Sequence, residues 1–242
     1  MPVDDLATPS RQWACRTGVG ARMLELVGNL PRSSRARILC IGAHCDDIEI
    51  GCAGTLLALL RRRPATRVDW VILSGTTRRR QEAGESMRRL LGTRQRGVLE
   101  TGDFPDGSFP AHYGAIKAFF EALKDRPSPD LVFCHERADR HQDHRIVNEM
   151  VWNTFRDQLV LEYEVPKWDG NLFEPNIYVP ISRAQLDRKV RHLLAAYASQ
   201  RSRDWFTAET FTGLARMRGI ECRAPSGFAE AFHVRKARLA AV

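Results

Sequence analysis

The sequence lacks any apolar run approaching the roughly 18–20 residues of a membrane span, so no transmembrane helix is expected. Its opening, MPVDDLATPSRQW, is acidic and polar and has no signal-peptide pattern, which makes the expected compartment cytoplasmic. The six cysteines, at positions 15, 40, 45, 52, 134 and 222, contain no CxxC pair. In that setting they read as reduced thiols and exclude a disulfide-stapled fold. There is no internal repeat, no low-complexity segment and no linker. A solenoid and a multidomain chain are thereby excluded, and 242 residues suit one domain over 36–242 behind a peripheral lead-in over 1–35, with a helical stretch near Ala21–Leu30. No nucleic-acid-binding motif accompanies the net charge of +8, carried mostly by Arg. A basic nucleic-acid-binding α/β module therefore rests on charge alone, which an Arg-rich surface explains as well.

What is present is an alternation of patterns. Arg37–Gly42, Val68–Leu73, Gly97–Glu100 and Leu131–Cys134 are strand-like, and Ile50–Arg62, Arg80–Leu91, Tyr113–Lys124 and Arg145–Phe155 are helical. Val160–Val165, Asn176–Val179 and Phe228–Val234 read as later strands, Arg183–Tyr197 and Ser202–Met217 as later helices. The succession predicts an α/β, Rossmann-like fold: a mostly parallel sheet with helices on both faces. At 43% hydrophobic residues the chain can bury the core such a sheet needs.

One stretch stands out, ILCIGAHCDDIEIGCAG over 38–54. An apolar strand ends in glycine and gives way to His44, Cys45, Asp46 and Asp47 before an apolar helix. Strand, turn and helix is the layout of a dinucleotide-binding unit, but this turn has no glycine cluster, and two carboxylates would repel a diphosphate. A second strand, LVFC, leads into HERADRHQDHR, with His135, Asp139, His141, Asp143 and His144. A parallel sheet brings both strand exits to one edge, so the metal site is expected at the carboxyl ends of the strands. His44, Asp47 and His144 would form a two-histidine, one-carboxylate set suited to zinc, with Fe²⁺ or another divalent ion as the alternative.

AHCDDIE resembles the AHPDDxE motif of the PIG-L/LmbE-like family of zinc-dependent N-acetyl sugar deacetylases, and Asp139-Arg140-His141-Gln142-Asp143-His144 resembles that family's D-x-H-x-D-H motif. Similar pieces follow in family order: RRRQEAGESMRRLLG at 78–92, PDGSF at 105–109, EYEVP at 162–166, YASQ at 197–200 and GFAEAF at 227–232. The resemblance spans roughly 36–235. Cys45 stands where the family usually has proline; it alters the stiffness of the turn and puts a thiol beside the expected metal, where it could itself bind zinc.

The resemblance implies hydrolysis of an N-acetylated amino sugar to free amine and acetate. Asp46 would be the general base, with a helix N-cap as its alternative. His141 would stabilise the oxyanion, and Asp143 would orient His141 or cap the helix near His144. Asp106 matches a position that binds a sugar hydroxyl, though a turn aspartate reads the same way. Of the run Arg78, Arg79 and Arg80, Arg80 is taken as a contact to the sugar or an attached phosphate, with a solvated face as the alternative. His135 is either a support to the ligands or a satisfied strand-end histidine. Phe104, Phe109, Tyr163, Trp168 and Trp205 would line a groove or belong to the core. The implied partner is a small-molecule or lipid- or nucleotide-linked amino sugar; no residue selects the carrier, and oligomeric state is not legible. A zinc hydrolase acting on a different amide, ester or phosphate stays open.

Overall fold

A computed structural model describes residues 36–92, 97–170 and 172–238. The expected lead-in over 1–35, with its helix, lies outside the described residues. The elements in chain order are β1 (Arg37–Gly42), α1 (Asp47–Arg62), β2 (Arg67–Ile72), α2 (Thr77–Leu91), β3 (Leu99–Thr101), α3 (Tyr113–Leu123), β4 (Leu131–His135), α4 (Gln142–Thr154), β5 (Leu159–Tyr163), β6 (Ile177–Pro180), α5 (Arg183–Ala196), α6 (Ala208–Glu221) and β7 (Ala229–His233).

The strands form one sheet in the order β3-β2-β1-β4-β5-β7-β6. β1 is parallel to β2 and β4, β2 to β3, and β4 to β5; β7 runs antiparallel to both β5 and β6. Every residue of β4 is buried, as expected of a central parallel strand covered on both faces. Two cores result. One packs Ile48, Leu56, Trp70, Leu193, Phe211 and Phe232 between the sheet and α1, α2, α5 and α6. The other packs Val71, Phe109, Ile116, Phe120, Val147 and Val151 beneath α3 and α4. α1 crosses the sheet closely at Gly51, where a Cβ would come 2.3 Å from the Tyr163 ring, so only glycine fits that contact.

The chain winds outward from β1 through β2 to β3, then returns to β4 on the other side of β1. In an open α/β sheet that reversal opens a crevice at the carboxyl ends of the strands, here between β1 and β4.

Three of the helix starts differ from the sequence expectation. The helix expected from Ser202 begins at Ala208, because Thr207 caps it with a side-chain bond from Thr210 N at 3.2 Å. The helices expected from Ile50 and Arg145 begin earlier, at Asp47 and Gln142, so Asp47 and His144 occupy first helical turns.

Candidate metal centre

The two strand exits meet at the crevice. His44 leaves β1 two residues beyond Gly42, and its backbone N–H donates to Asp47 Oδ2 at 2.7 Å, tightening the turn into α1. Across the crevice, His141 occupies the N-cap of α4, where its Nδ1 accepts from Asp143 N at 3.3 Å, and His144 follows in the first turn.

His44, Asp47 and His144 are all buried, and their donor atoms converge. His44 Nδ1 lies 3.3 Å from His144 Nε2; Asp47 Oδ2 lies 3.4 Å from the first and 3.6 Å from the second. A tetrahedral ion with ligands at about 2.0–2.2 Å sets its donor atoms roughly 3.3–3.6 Å apart, so these three residues fit a divalent ion of zinc's size.

The remaining ring nitrogens fix the tautomers that ligation requires. His144 Nδ1 faces Asp139 Oδ2 at 2.9 Å, and donating its proton there leaves Nε2 as a lone pair. His44 Nε2 faces Asp106 Oδ1 at 3.0 Å and Asp143 Oδ2 at 3.3 Å, leaving Nδ1 toward the triangle. His135, fully buried, stacks on the His144 ring at 3.7 Å and sets Nε2 3.1 Å from Asp47 Oδ2, while its Nδ1 has no partner.

The electrostatics match. Burial opposes protonation of His44, but Asp47, Asp106 and Asp143 hold its pKa well above the ordinary value. A site that draws a proton onto a ligand nitrogen carries the negative potential that a divalent cation would satisfy. Burial and the neighbouring His135 push His144 down to about 3, keeping it neutral. Burial works to raise Asp47, yet His144, His135 and His44 keep it well below the usual carboxylate range.

Asp46 sits at the N-cap of α1 but makes no side-chain capping bond; its carboxylate pairs with Arg79 Nη2 at 2.7 Å. Burial raises its pKa and Arg79 pulls it back. The Asp143 carboxylate lies within 4.8 Å of a His141 ring nitrogen but makes no hydrogen bond to it. It accepts instead from Gly107 N at 2.7 Å and Phe109 N at 3.1 Å, tying the PDG turn to His44. That turn needs Gly107 at φ +75°, a conformation other residues rarely adopt. It holds Asp106 over the centre with its side chain 61% exposed, and the hydrogen bond from His44 lowers its pKa to about 2.

Within the arginine run, Arg79 faces the centre, Arg80 pairs with Asp103, and Arg78 is exposed beside Glu82. Cys45 donates from Sγ to the Ser74 carbonyl at 3.5 Å and is not among the converging donors; burial raises its thiol to about 12. Of two supporting residues, one was named in the sequence without a role and one was not singled out. Asp139 was visible only as a member of its cluster, and here accepts from His141 N at 2.8 Å as well as facing His144. Lys167 was not singled out; its Nζ bonds both Asp139 oxygens, at 2.9 and 3.0 Å. The one available signal was its position directly after EYEVP.

Comparison with known proteins gives concordant findings. The profile of the family described as PIG-L, GlcNAc-PI de-N-acetylase, matches residues 39–155. The uncharacterized deacetylase YaiS of Escherichia coli strain K12 is 31% identical over 175 residues, which are 66% of this chain and 90% of that protein. Among solved structures, the N,N'-diacetylchitobiose deacetylase of Pyrococcus horikoshii superposes with a TM-score of 0.63 at 22% identity, covering 82% of this chain and 83% of its own. GalB, the 4-carboxy-2-hydroxymuconate hydratase of Pseudomonas putida KT2440, superposes with a TM-score of 0.67 at 16% identity, covering 86% and 99%. At those identities the two structures establish a shared fold; since one is a hydratase, the fold alone does not name a reaction.

Proposed function

Since the chain belongs to the PIG-L family of deacetylases, and is thus a hydrolytic enzyme, we propose that it removes the acetyl group from an N-acetylated amino sugar, using one divalent ion, zinc by preference, held by His44, Asp47 and His144. The observation that carries the reading is the donor triangle with the Asp46–Arg79 pair beside it. When bound, the ion would polarise the acetyl carbonyl and acidify water.

This chain's own residues supply the remainder. Asp46 takes the proton of the attacking water; burial raises its basicity, and Arg79 keeps the carboxylate ionised and aimed. Water adds to the acetyl carbon, the C–N bond breaks, and Asp46 returns the proton to the departing nitrogen, giving acetate and free amine. Because His141 Nδ1 accepts from the Asp143 backbone, its neutral ring carries the proton on Nε2, ready to donate to the oxyanion. Asp139 and Lys167 hold His144, and Asp143 holds both His44 and the PDG turn. Asp106, the most exposed carboxylate of the centre, is placed to accept from a sugar hydroxyl and to orient the acetamido group.

Acetate release from a panel of N-acetylhexosamine derivatives, with zinc and with chelator, tests the reading. The expected result is turnover of at least one derivative that chelation abolishes and zinc restores. No release from any member by fully metal-loaded protein, or release indifferent to chelation, would overturn it.

A further inference from the structure

Glu49 is fully buried and has no part in the chemistry above. It lies in the first turn of α1, two residues beyond Asp47. Ser86 Oγ of α2 donates to its Oε1, the Tyr197 hydroxyl meets the same oxygen, and its Oε2 has no partner. Tyr197 stands just past the end of α5, and its hydroxyl donates to the Cys45 carbonyl at 2.6 Å. That carbonyl belongs to the peptide joining Cys45 to Asp46, so the phenol ends on the backbone of the general base.

The phenol is held from several sides. Arg79, Glu82 and Ser86 follow one another at i, i+3 and i+7 and share one face of α2. Arg79 pairs with Asp46 at 2.7 Å. Glu82 accepts from Ser199 N at 3.1 Å and from Ser199 Oγ at 2.5 Å, two residues after Tyr197. Ser86 meets Glu49 and lies 2.7 Å from His192 Nε2 of α5. One face of α2 therefore sets both the guanidinium that aims the Asp46 carboxylate and the support of the phenol that holds its backbone. Tyr197 is itself fully buried, edge-on to the Phe206 ring, so packing fixes where its hydroxyl ends.

The turn has need of such a hold. A proline at position 45 would fix φ through its ring, whereas Cys45 leaves that angle free. The thiol contact to the Ser74 carbonyl, at 3.5 Å, is a weak restraint, and Asp46 makes no side-chain capping bond that would fix its own backbone. We propose that Tyr197, supported by Glu49 and Ser86, is a positioning residue for the deacetylation: its bond to the Cys45 carbonyl fixes the peptide that carries Asp46, and with it the aim of that carboxylate. The inference rests on the sugar-deacetylase reading and on the role of Asp46 within it. A tyrosine placed only to satisfy the buried carboxyl would need no bond to position 45.

A double-substitution cycle tests it, on metal-saturated protein with an N-acetylhexosamine derivative that the native protein turns over. Tyr197→Phe keeps the ring and removes the hydroxyl. Its kcat should fall about tenfold to a hundredfold at unchanged KM, the effect of a misaimed base with substrate contacts intact. In the Asp46→Asn background the same substitution should cost nothing further, because no base is left to aim. An equal fall with and without the Asp46 carboxylate overturns the inference and leaves Tyr197 a packing residue, as does a native kcat in Tyr197→Phe. Should that variant not fold, Ser86→Ala, which removes a support one residue further away, carries the same cycle. A crystal structure of metal-loaded Tyr197→Phe, or of Ser86→Ala in its place, reads the position without any reaction. An Asp46 carboxylate turned away from Arg79 supports the inference even where the native protein hydrolyses no acetyl sugar, in which case the sugar-deacetylase reading alone fails. An Asp46–Arg79 pair in its native place overturns it.

Discussion

Among the buried charge clusters of the described residues, two are built on opposite principles. In the first, between α1, α5, α6 and β7, every charge meets its complement. Lys189 donates to Glu230 Oε1 at 2.5 Å and to the Ile50 carbonyl at 2.6 Å, while Glu230 accepts from Gly54 N and Thr55 N. Arg218 forks onto Glu164 at 2.8 and 2.7 Å. In the second cluster, at the crevice, one ring nitrogen each of His44 and His144 and a carboxylate oxygen of Asp47 lie within 3.6 Å of one another, and the surrounding carboxylates favour a proton on His44. The first cluster closes on itself and supports the fold; the second converges on a point that draws a proton and that a divalent cation would fit.

The comparison can be broken by substitution, beginning with the donors. His44→Ala or His144→Ala should lose the metal and with it all turnover, and elemental analysis of purified protein should drop from about one divalent ion per chain to none. Full metal content in both variants would dissolve the contrast between the clusters. Asp46→Asn is expected to keep the ion and the fold while kcat falls by about two to four orders of magnitude, the usual worth of a general base. Equal metal loss in Asp46→Asn and Asp47→Asn would show instead that the two carboxylates share one role.

The self-satisfied cluster should respond in stability. Lys189→Met leaves Glu230 buried without its counter-ion, and unfolding in urea should report a loss of about 3–5 kcal/mol. Metal content and kcat of the folded fraction should be unchanged; a parallel loss of metal would mean that the two clusters are coupled. The smallest effect concerns pH. Burial, reinforced by Arg188 and Arg89, lowers His192 to about 4 from an ordinary 6.5. The unfolded chain therefore binds the extra proton first, and stability present above about pH 6.5 is lost as pH falls toward 4. His192→Gln should flatten that part of the stability–pH curve, and an unaltered slope would remove His192 as its source.

Much of the centre was legible because its donors come in two short runs. His44, Asp46 and Asp47 span four positions and His141, Asp143 and His144 span another four, so their types and spacing could be read together. The helix starts were less legible, since Asp47 and His144 are polar and interrupt the apolar periodicity by which a helix is recognised, although both lie inside the first turn. The partner of Asp46 was not legible at all. Among three consecutive arginines, sequence offers no means to tell which one points inward; the position of α2 against the start of α1 selects Arg79 and leaves Arg80 to Asp103. Lys167 shows the same limit, for its partner Asp139 is 28 positions away.

The sequence by itself determined the alternation of strands and helices, the parallel core and the chemical types of the donors, because hydrophobic period and local spacing act over a few residues. Only the tertiary structure decided that β1 and β4 are neighbours, that β7 joins β5 antiparallel, that Asp143 ties the PDG turn to His44, and that Tyr197 reaches the Cys45 carbonyl. Those features depend on strand order and on which helix covers which face. They arise from contacts between residues far apart in the chain, whose energies no local pattern records.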